Sequence, residues 1–267
     1  AKQTVFSEGC RGHLGKTLME KFELNSNNSP QTYGIGIKEL WEVTPENSKP
    51  GSIMHTTGWP LDNETYGGSF LYHLDDNKIS IGFVIGLDYK NPYLSPYLEF
   101  QRFKHHPAIK KLLEGGRRIN YGARALNEGG VQSLPKLTFP GGMLVGCEAG
   151  FLNVPKIKGT HLAMKSGMIA AQSIFENIDK QDEISDFQTD IKQSWLWNEL
   201  YKVRNIRPSF KWGFWKAIAY SAINTYIFRG NAPWTIDHHG TDHESIGNKY
   251  NYKAVSYTHL RAHETSQ

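Results

Sequence analysis

Leu144-Val-Gly-Cys-Glu-Ala-Gly-Phe-Leu-Asn-Val-Pro-Lys-Ile-Lys-Gly-Thr-His161 is the stretch on which the fold turns. Leu144 and Val145 make a short apolar strand that runs into Gly146. Beyond the glycines an amphipathic helix is predicted over about 159–177, with Leu162, Ile169, Ile174, Phe175 and Ile178 forming one face. A strand ending in glycines lets a bound molecule approach the backbone closely. The helix N-terminus behind it offers free N–H groups and a partial positive charge. That combination suits a phosphate or the electron-rich edge of a reduced flavin, and an ordinary glycine-rich turn before a core helix has the same spacing. Phe6-Ser-Glu-Gly-Cys-Arg-Gly-His13 has the same strand–glycine–helix order, followed by a short helix carrying Leu14, Leu18, Met19 and Phe22. Two such passages say more than either alone.

Between them the chain is strand-rich. Residues 33–43 alternate apolar and polar over much of their length, and 69–74 and 79–85 read as a hairpin through Asp75-Asp-Asn-Lys78. Ser95 is a good N-cap, with Pro96 at the first helical position of a helix predicted to about His105. Pro107 breaks or restarts it, and Gly115-Gly116 ends the second piece. Strands and glycine turns return over 117–150. Residues 179–193 read as a connector or exposed helix, 194–203 as helix, and 204–209 as loop. The pattern is α+β or α/β.

With 267 residues the chain is long enough for one large domain or two ordinary ones. Its 30 Lys and Arg against 26 Asp and Glu leave a mild net charge of +4, which does not call for a nucleic-acid partner. The basic patch around Lys104, Lys110, Lys111, Arg117 and Arg118 reads as a charged surface or a docking face for an acidic protein. Cys10 and Cys147 cannot make a disulfide framework or hold a cluster that needs four thiolates. No apolar run of about 20 residues is present to span a membrane. No signal-peptide pattern, Gly-x-Ser-x-Gly, Walker loop or His-Glu-x-x-His motif is present. Asp237-His-His-Gly-Thr-Asp-His243 reads as a solvated loop rather than a metal centre, and no metal ligands are assigned. Residues from about Val255 onward resemble the translation of a sequencing adapter and are set apart from the fold.

Two further constellations stand out. Thr65-Tyr66-Gly67-Gly68-Ser69 lies at a strand start, where adjacent glycines leave backbone groups uncovered and Tyr66 supplies a hydroxyl; a plain β-turn has the same composition. Residues 210–228 are aromatic-rich, with Trp212, Trp215, Ile218, Ala222 and Tyr226 at helical spacing and Lys211, Lys216 and Arg229 in or beside them. Aromatics edged by Lys suit a segment at the headgroup level of a membrane; a buried helix or hairpin is the alternative.

Long phrases across residues 1–254 resemble the electron-transfer flavoprotein–ubiquinone oxidoreductase family. They include Glu8-Gly-Cys-Arg-Gly-His-Leu14, Pro30-Gln-Thr-Tyr-Gly-Ile-Gly36, Thr65-Tyr-Gly-Gly-Ser-Phe-Leu-Tyr-His-Leu74, Tyr121-Gly-Ala-Arg-Ala-Leu-Asn-Glu-Gly-Gly130, Asn153-Val-Pro-Lys-Ile-Lys-Gly-Thr-His161 and Val203-Arg-Asn-Ile-Arg-Pro208. The resemblance implies an FAD-dependent oxidoreductase of the glutathione-reductase/hydroxylase type, carrying FAD, a four-iron (4Fe-4S) cluster and a ubiquinone site. It implies electron transfer from reduced electron-transfer flavoprotein to ubiquinone, on the mitochondrial inner membrane or the bacterial cytoplasmic membrane. A flavin-dependent reductase or monooxygenase acting on a lipid or prenylated substrate is one alternative, and a non-catalytic membrane-binding module is the other.

By the resemblance, Tyr66, Gly67 and Gly68 meet the quinone, and Gly9, Gly12, Asn127, Gly146, Gly150, Asn153, Gly159 and Thr160 meet the flavin. Trp212, Phe214, Trp215, Ile218, Ile223 and Tyr226 contact the membrane as a monotopic surface. The organisation it implies is flavin-domain pieces at 1–30 and 136–190, an antiparallel-sheet quinone domain at 31–135, and a helical membrane-contacting segment at 191–254. Cys147 stands where the wider flavin-hydroxylase pattern has Asp, and Arg11-Gly12 replaces its Asp-Gly. The family's N-terminal Gly-x-Gly-x-x-Gly loop and its cluster cysteines are missing from these residues, which marks the chain as a fragment that is inactive alone.

Overall fold

The computed structural model describes residues 1–179, 182–238 and 240–252, and the adapter-like residues 255–267 lie outside them. Two compact units divide the chain: Ala1–Tyr33 with Ala125–Thr241, and Gly34–Arg124 with the segment that begins at Asp242.

In the first unit, β1 (Thr4–Phe6) pairs in parallel with β8 (Gly142–Leu144), Phe6 opposite Leu144, and β8 pairs antiparallel with β7 (Thr138–Phe139). Parallel pairing puts the carboxyl ends of β1 and β8 side by side. Both glycine passages therefore leave the sheet at the same end. The first leads to α1 (His13–Lys21). The second leads through α4 (Gly146–Ala149), a single turn closed by left-handed Gly150, to α5 (Thr160–Asn177). Met143, Leu144, Phe151 and Leu162 are fully buried around this junction, and burying side chains of this size stabilises the fold by roughly 1.5–3 kcal/mol each.

Helices α6 (Asp186–Gln193) and α7 (Trp195–Val203) complete that core through Phe187, Ile191, Leu196 and Leu200. Residues 186–193 are thus a core helix rather than an exposed connector, because Phe187 and Ile191 recur four apart on one face. Residues 206–209 are not loop but a helical turn, α8 (Ile206–Ser209). Pro208 is tolerated there because the first-turn N–H groups of a helix have no internal partner. Two apolar residues leave their expected faces. Phe175 is 83 % exposed, turned about 100° from Ile174 on α5, and Leu14 projects from α1. The unit closes with α9 (Phe214–Ala222), which runs on into a π-helical turn at Ile223–Ile227.

The second unit holds a five-stranded sheet in the order β3-β4-β5-β2-β6, built from β2 (Tyr33–Glu42), β3 (Ile53–Thr57), β4 (Gly67–Leu74), β5 (Lys78–Gly86) and β6 (Arg117–Asn127). Strands β2 to β5 pair antiparallel. The predicted hairpin is β4–β5, turning through left-handed Asp76 and Asn77, residue types that tolerate that conformation. Ile79, Ile81, Phe83 and Ile85 alternate onto the buried face, under α2 (Pro96–Lys104) and α3 (Pro107–Leu113). The Ser95 hydroxyl accepts the Leu98 N–H, as an N-cap should. Glu39, buried beneath α2, accepts from Lys104 Nζ at 2.8 Å, Trp41 Nε1 at 2.8 Å and Arg118 at 3.2 Å. The sequence-based bounds 31–135 are wider than this unit. Residues 125–135 belong with the first, where Glu128 N–H donates to Thr32 O and Gly129 N–H to Gln31 Oε1.

Candidate functional site

The first passage is shaped by two carboxylates. Glu8 Oε2 accepts the Gly15 N–H at 2.9 Å. A Cβ on Gly12 would stand 2.5 Å from both Glu8 Oε2 and Glu148 Oε2, and one on Gly15 would stand 1.7 Å from Glu148 Oε1. Gly12 therefore leaves room for the Glu8 and Glu148 side chains. Gly9, at φ +97°, keeps the turn that only glycine adopts readily. Glu148 is buried and its Oε2 has no hydrogen-bond partner. Burial pushes its pKa above the ordinary value, and the nearby Glu8 carboxylate adds to this against a backbone hydrogen bond from Glu8. The sequence reading missed Glu148; Gly12 and Gly15, three apart at the N-cap and first turn of α1, were the available signal.

In the second passage Gly146 has φ +59° and donates its N–H to Ser166 Oγ at 2.9 Å. Gly150, at φ +99°, lies against two amides: a Cβ on it would be 3.2 Å from Gln31 Nε2 and 3.8 Å from Asn127 Nδ2. Asn127 is buried and its Oδ1 has no partner. Gly150, Asn127 and Gln31 thus converge with one acceptor left over. Gln31 carried no sequence signal.

Asn153 is fully buried and serves the loop. Its Nδ2 donates to Glu199 Oε1 at 2.8 Å, its Oδ1 accepts the Lys156 N–H, and its backbone pairs with Lys158. Glu199, also missed from sequence, sits within 2.9 Å of His161 Nε2. Burial works against its charge, but hydrogen bonds from His161, Asn153 and Lys156 outweigh it and hold the carboxyl below its ordinary value. Gly159 packs on Leu152, exposed Thr160 opens α5, and no side chain caps that helix.

In the second unit, Gly67 and Gly68 lie inside β4 rather than in a β-turn. Gly67 faces Ile85, and Gly68 faces Val84 on one side and Thr57 on the other. Register with β3 ends at Gly68, so Tyr66 and Gly67 extend past that neighbour. A Cβ on Gly68 would meet Thr56 O at 2.5 Å, and one on Gly67 would meet Val84 O at 2.5 Å. The backbones are this close only because both residues are glycine.

The aromatic segment shows reversed polarity. Ala217 and Asn224 are buried, whereas Trp212, Trp215, Ile218, Ile223 and Tyr226 are exposed; Phe214 is half-buried against Phe210 and Trp215. The segment is fastened from behind by Arg204. All five guanidinium N–H donors are used, on the carbonyls of Tyr201, Gly230, Ala232 and Trp234 and on Thr235 Oγ1. Among the described residues no helix is long and apolar enough to cross a membrane, and no group of three or more His, Cys, Asp or Glu gathers as metal ligands.

The fold is one found in flavin-dependent enzymes. A geranylgeranyl bacteriochlorophyll reductase-like protein from Thermoplasma acidophilum superposes with a TM-score of 0.59 at 17% identity, over 85% of this chain and 60% of that one. The flavin-dependent brominase Bmp2 superposes with a TM-score of 0.50 at 17% identity, over 99% and 62%. Sequence narrows the class. Residues 33–126 match the family described as "ETF-QO, ubiquinone-binding". The chain is 57% identical to the mitochondrial electron transfer flavoprotein-ubiquinone oxidoreductase of Sus scrofa, over 92% of this chain and 42% of the relative. It is 50% identical to that of Oryza sativa subsp. japonica, over 96% and 45%. The chain is thus similar in sequence to electron transfer flavoprotein-ubiquinone oxidoreductases, and it spans less than half the length of these relatives. They do not favour the alternative of a lipid-directed reductase or monooxygenase.

Proposed function

We propose that this chain forms the quinone domain and part of the flavin domain of an enzyme that passes electrons from reduced electron-transfer flavoprotein to ubiquinone at a membrane surface. The observation that carries the reading is the ubiquinone-binding family match over 33–126, which contains Tyr66, Gly67 and Gly68 at the open start of β4. There Tyr66 and Gly67 run past the end of the β3 register, and the Tyr66 hydroxyl can donate to a quinone oxygen. Two electrons and two protons convert the quinone to quinol, so the site must hold both carbonyl oxygens, exclude bulk water and admit protons.

The residues present fit the ring end of FAD in a fold of the glutathione-reductase/hydroxylase type. Gly150 exposes backbone beside Asn127, whose buried Oδ1 lacks a partner and suits a ring N–H, while Gly146 and the start of α5 border the same passage. When bound, FAD supplies a carrier that takes and gives electrons singly or in pairs. These residues would orient the ring, and the first-turn N–H groups of α5 would favour negative charge near it. Cys10 and Cys147 do not fit a four-iron cluster, which needs four thiolates.

The exposed apolar face of 212–227 supports a monotopic membrane contact. From α9 through the following turn it covers about 20 Å at 1.5 Å per residue, short of a bilayer core of about 30 Å. The relatives are named as mitochondrial, which favours a mitochondrial membrane over a bacterial one. In a longer protein carrying this chain, Tyr66→Phe is expected to slow quinone reduction while flavin content stays unchanged. Equal loss of both would overturn the quinone assignment.

A further inference from the structure

Residues 200–236 contain no Asp or Glu, yet carry Lys202, Arg204, Arg207, Lys211, Lys216 and Arg229. Two of these cations are internal. Arg207 pairs with Glu128 at 2.8 Å, and Arg204 is solvated by carbonyls. The other four are exposed, and none makes an ion pair among the described residues. They are interspersed with the outward apolar side chains, of which Trp215, Tyr226 and Ile227 are 74 %, 80 % and 71 % exposed. Asn224 meanwhile is 1 % exposed, and Gly230 N–H donates to its carbonyl at 2.8 Å. A soluble protein face is built the other way round, with the amide outside and the tyrosine inside. Exposed aromatics interspersed along the chain with cations, with no Asp or Glu from residue 200 to 236, match the interface of a bilayer that carries net negative charge.

We propose that the surface of residues 202–229 takes an anionic bilayer in preference to a neutral one, with Lys202, Lys211, Lys216 and Arg229 held at anionic headgroups around the inserted aromatics. This rests on the membrane contact proposed above and specifies the lipid. The unpaired cations and the lack of Asp or Glu between residues 200 and 236 argue for a charged surface, while the exposed Trp and Tyr argue for a lipid one rather than a soluble polyanion.

The test is co-sedimentation of the whole chain with phosphatidylcholine vesicles and with equimolar phosphatidylcholine–phosphatidylglycerol vesicles. One basic residue near an anionic surface contributes about fivefold to partitioning. Lys211→Gln with Lys216→Gln should therefore weaken binding to the mixed vesicles roughly 25-fold and leave binding to phosphatidylcholine unchanged. Trp212→Ser with Trp215→Ser should weaken both. At 1 M salt, where screening acts within about 3 Å, the preference should vanish. Equal binding to both vesicles, unaffected by the lysine changes, overturns the inference and leaves the membrane contact standing. Binding to neither overturns the membrane contact itself. Binding to soluble polyglutamate as tightly as to mixed vesicles also overturns the inference, since charge alone would then suffice.

Discussion

Replacing Arg204 with Met should unfasten the segment that carries the exposed aromatic face. Arg204 is 3 % exposed, and its charge is solvated by four carbonyls, one hydroxyl and the Tyr201 ring, 3.7 Å from the guanidinium carbon. Hydrogen bonds to a charged group contribute roughly 1.5–3 kcal/mol each, so five are worth roughly 7–15 kcal/mol in gross terms. Removing a guanidinium from water costs several kcal/mol, and water entering the variant recovers part of the remainder. A net loss of about 3–5 kcal/mol is expected. For a chain of this size that lowers Tm by roughly 6–20 °C, at about 2–4 °C per kcal/mol. Arg204→Lys offers at most three donors and should recover only part of the loss. Thermal melts followed by circular dichroism give the magnitude, and limited proteolysis should show new cleavage near Gly230 and Trp234, whose carbonyls Arg204 holds. A Met variant that melts within about 2 °C of the parent, or a Lys variant that matches the parent, would refute the five-donor account, because a diffuse charge would then do as well as a fixed fork.

Gly68→Ala should push Thr56 O away and open the β3–β4 edge, with a loss of about 1–3 kcal/mol and of quinone-analogue binding by fluorescence quenching. Gly122→Ala, with no atom within 4 Å of its new Cβ, should change neither. Because burial and then Glu8 raise the Glu148 pKa, the folded chain binds more protons than the unfolded one between the ordinary and raised values. Stability should therefore fall as pH rises through the raised value; Glu148→Gln should flatten that slope in urea titrations, and an unchanged slope would contradict the assignment. Glu199 has the opposite sign: its lowered pKa gives stability that is present above the ordinary carboxylate range and is lost as pH falls through the lowered value. Glu199→Gln should shrink the acid-side loss and should loosen 153–158 by hydrogen exchange.

Much of the local structure was legible in the sequence because it is fixed by neighbours along the chain. The β4–β5 hairpin, the Ser95–Pro96 helix start and α5 follow from two- and 3.6-residue periodicities and from cap chemistry. The exceptions have identifiable causes. Residues 186–193 look polar because only Phe187 and Ile191 face the core, and Phe175 is apolar yet lies off the buried stripe of α5.

The candidate site was legible only in part. Glycines at 67, 68, 146 and 150 could be picked out as positions where backbone is uncovered, and 210–228 as an aromatic stretch that either spreads on a surface or hides in a core. The packing buries Asn224 and Ala217 and leaves Trp215 and Tyr226 exposed. It also gave Gly12 to Glu8 and Glu148, turned Asn153 inward to Glu199, and left Asn127 Oδ1 without a partner beside Gly150. Residue order along the chain by itself determined the strands, the helices and the two glycine passages, since each depends on contacts a few residues apart. Which polar atoms are consumed within the fold and which remain to meet a ligand depends on residues brought together from distant parts of the chain, and that only the tertiary structure decided.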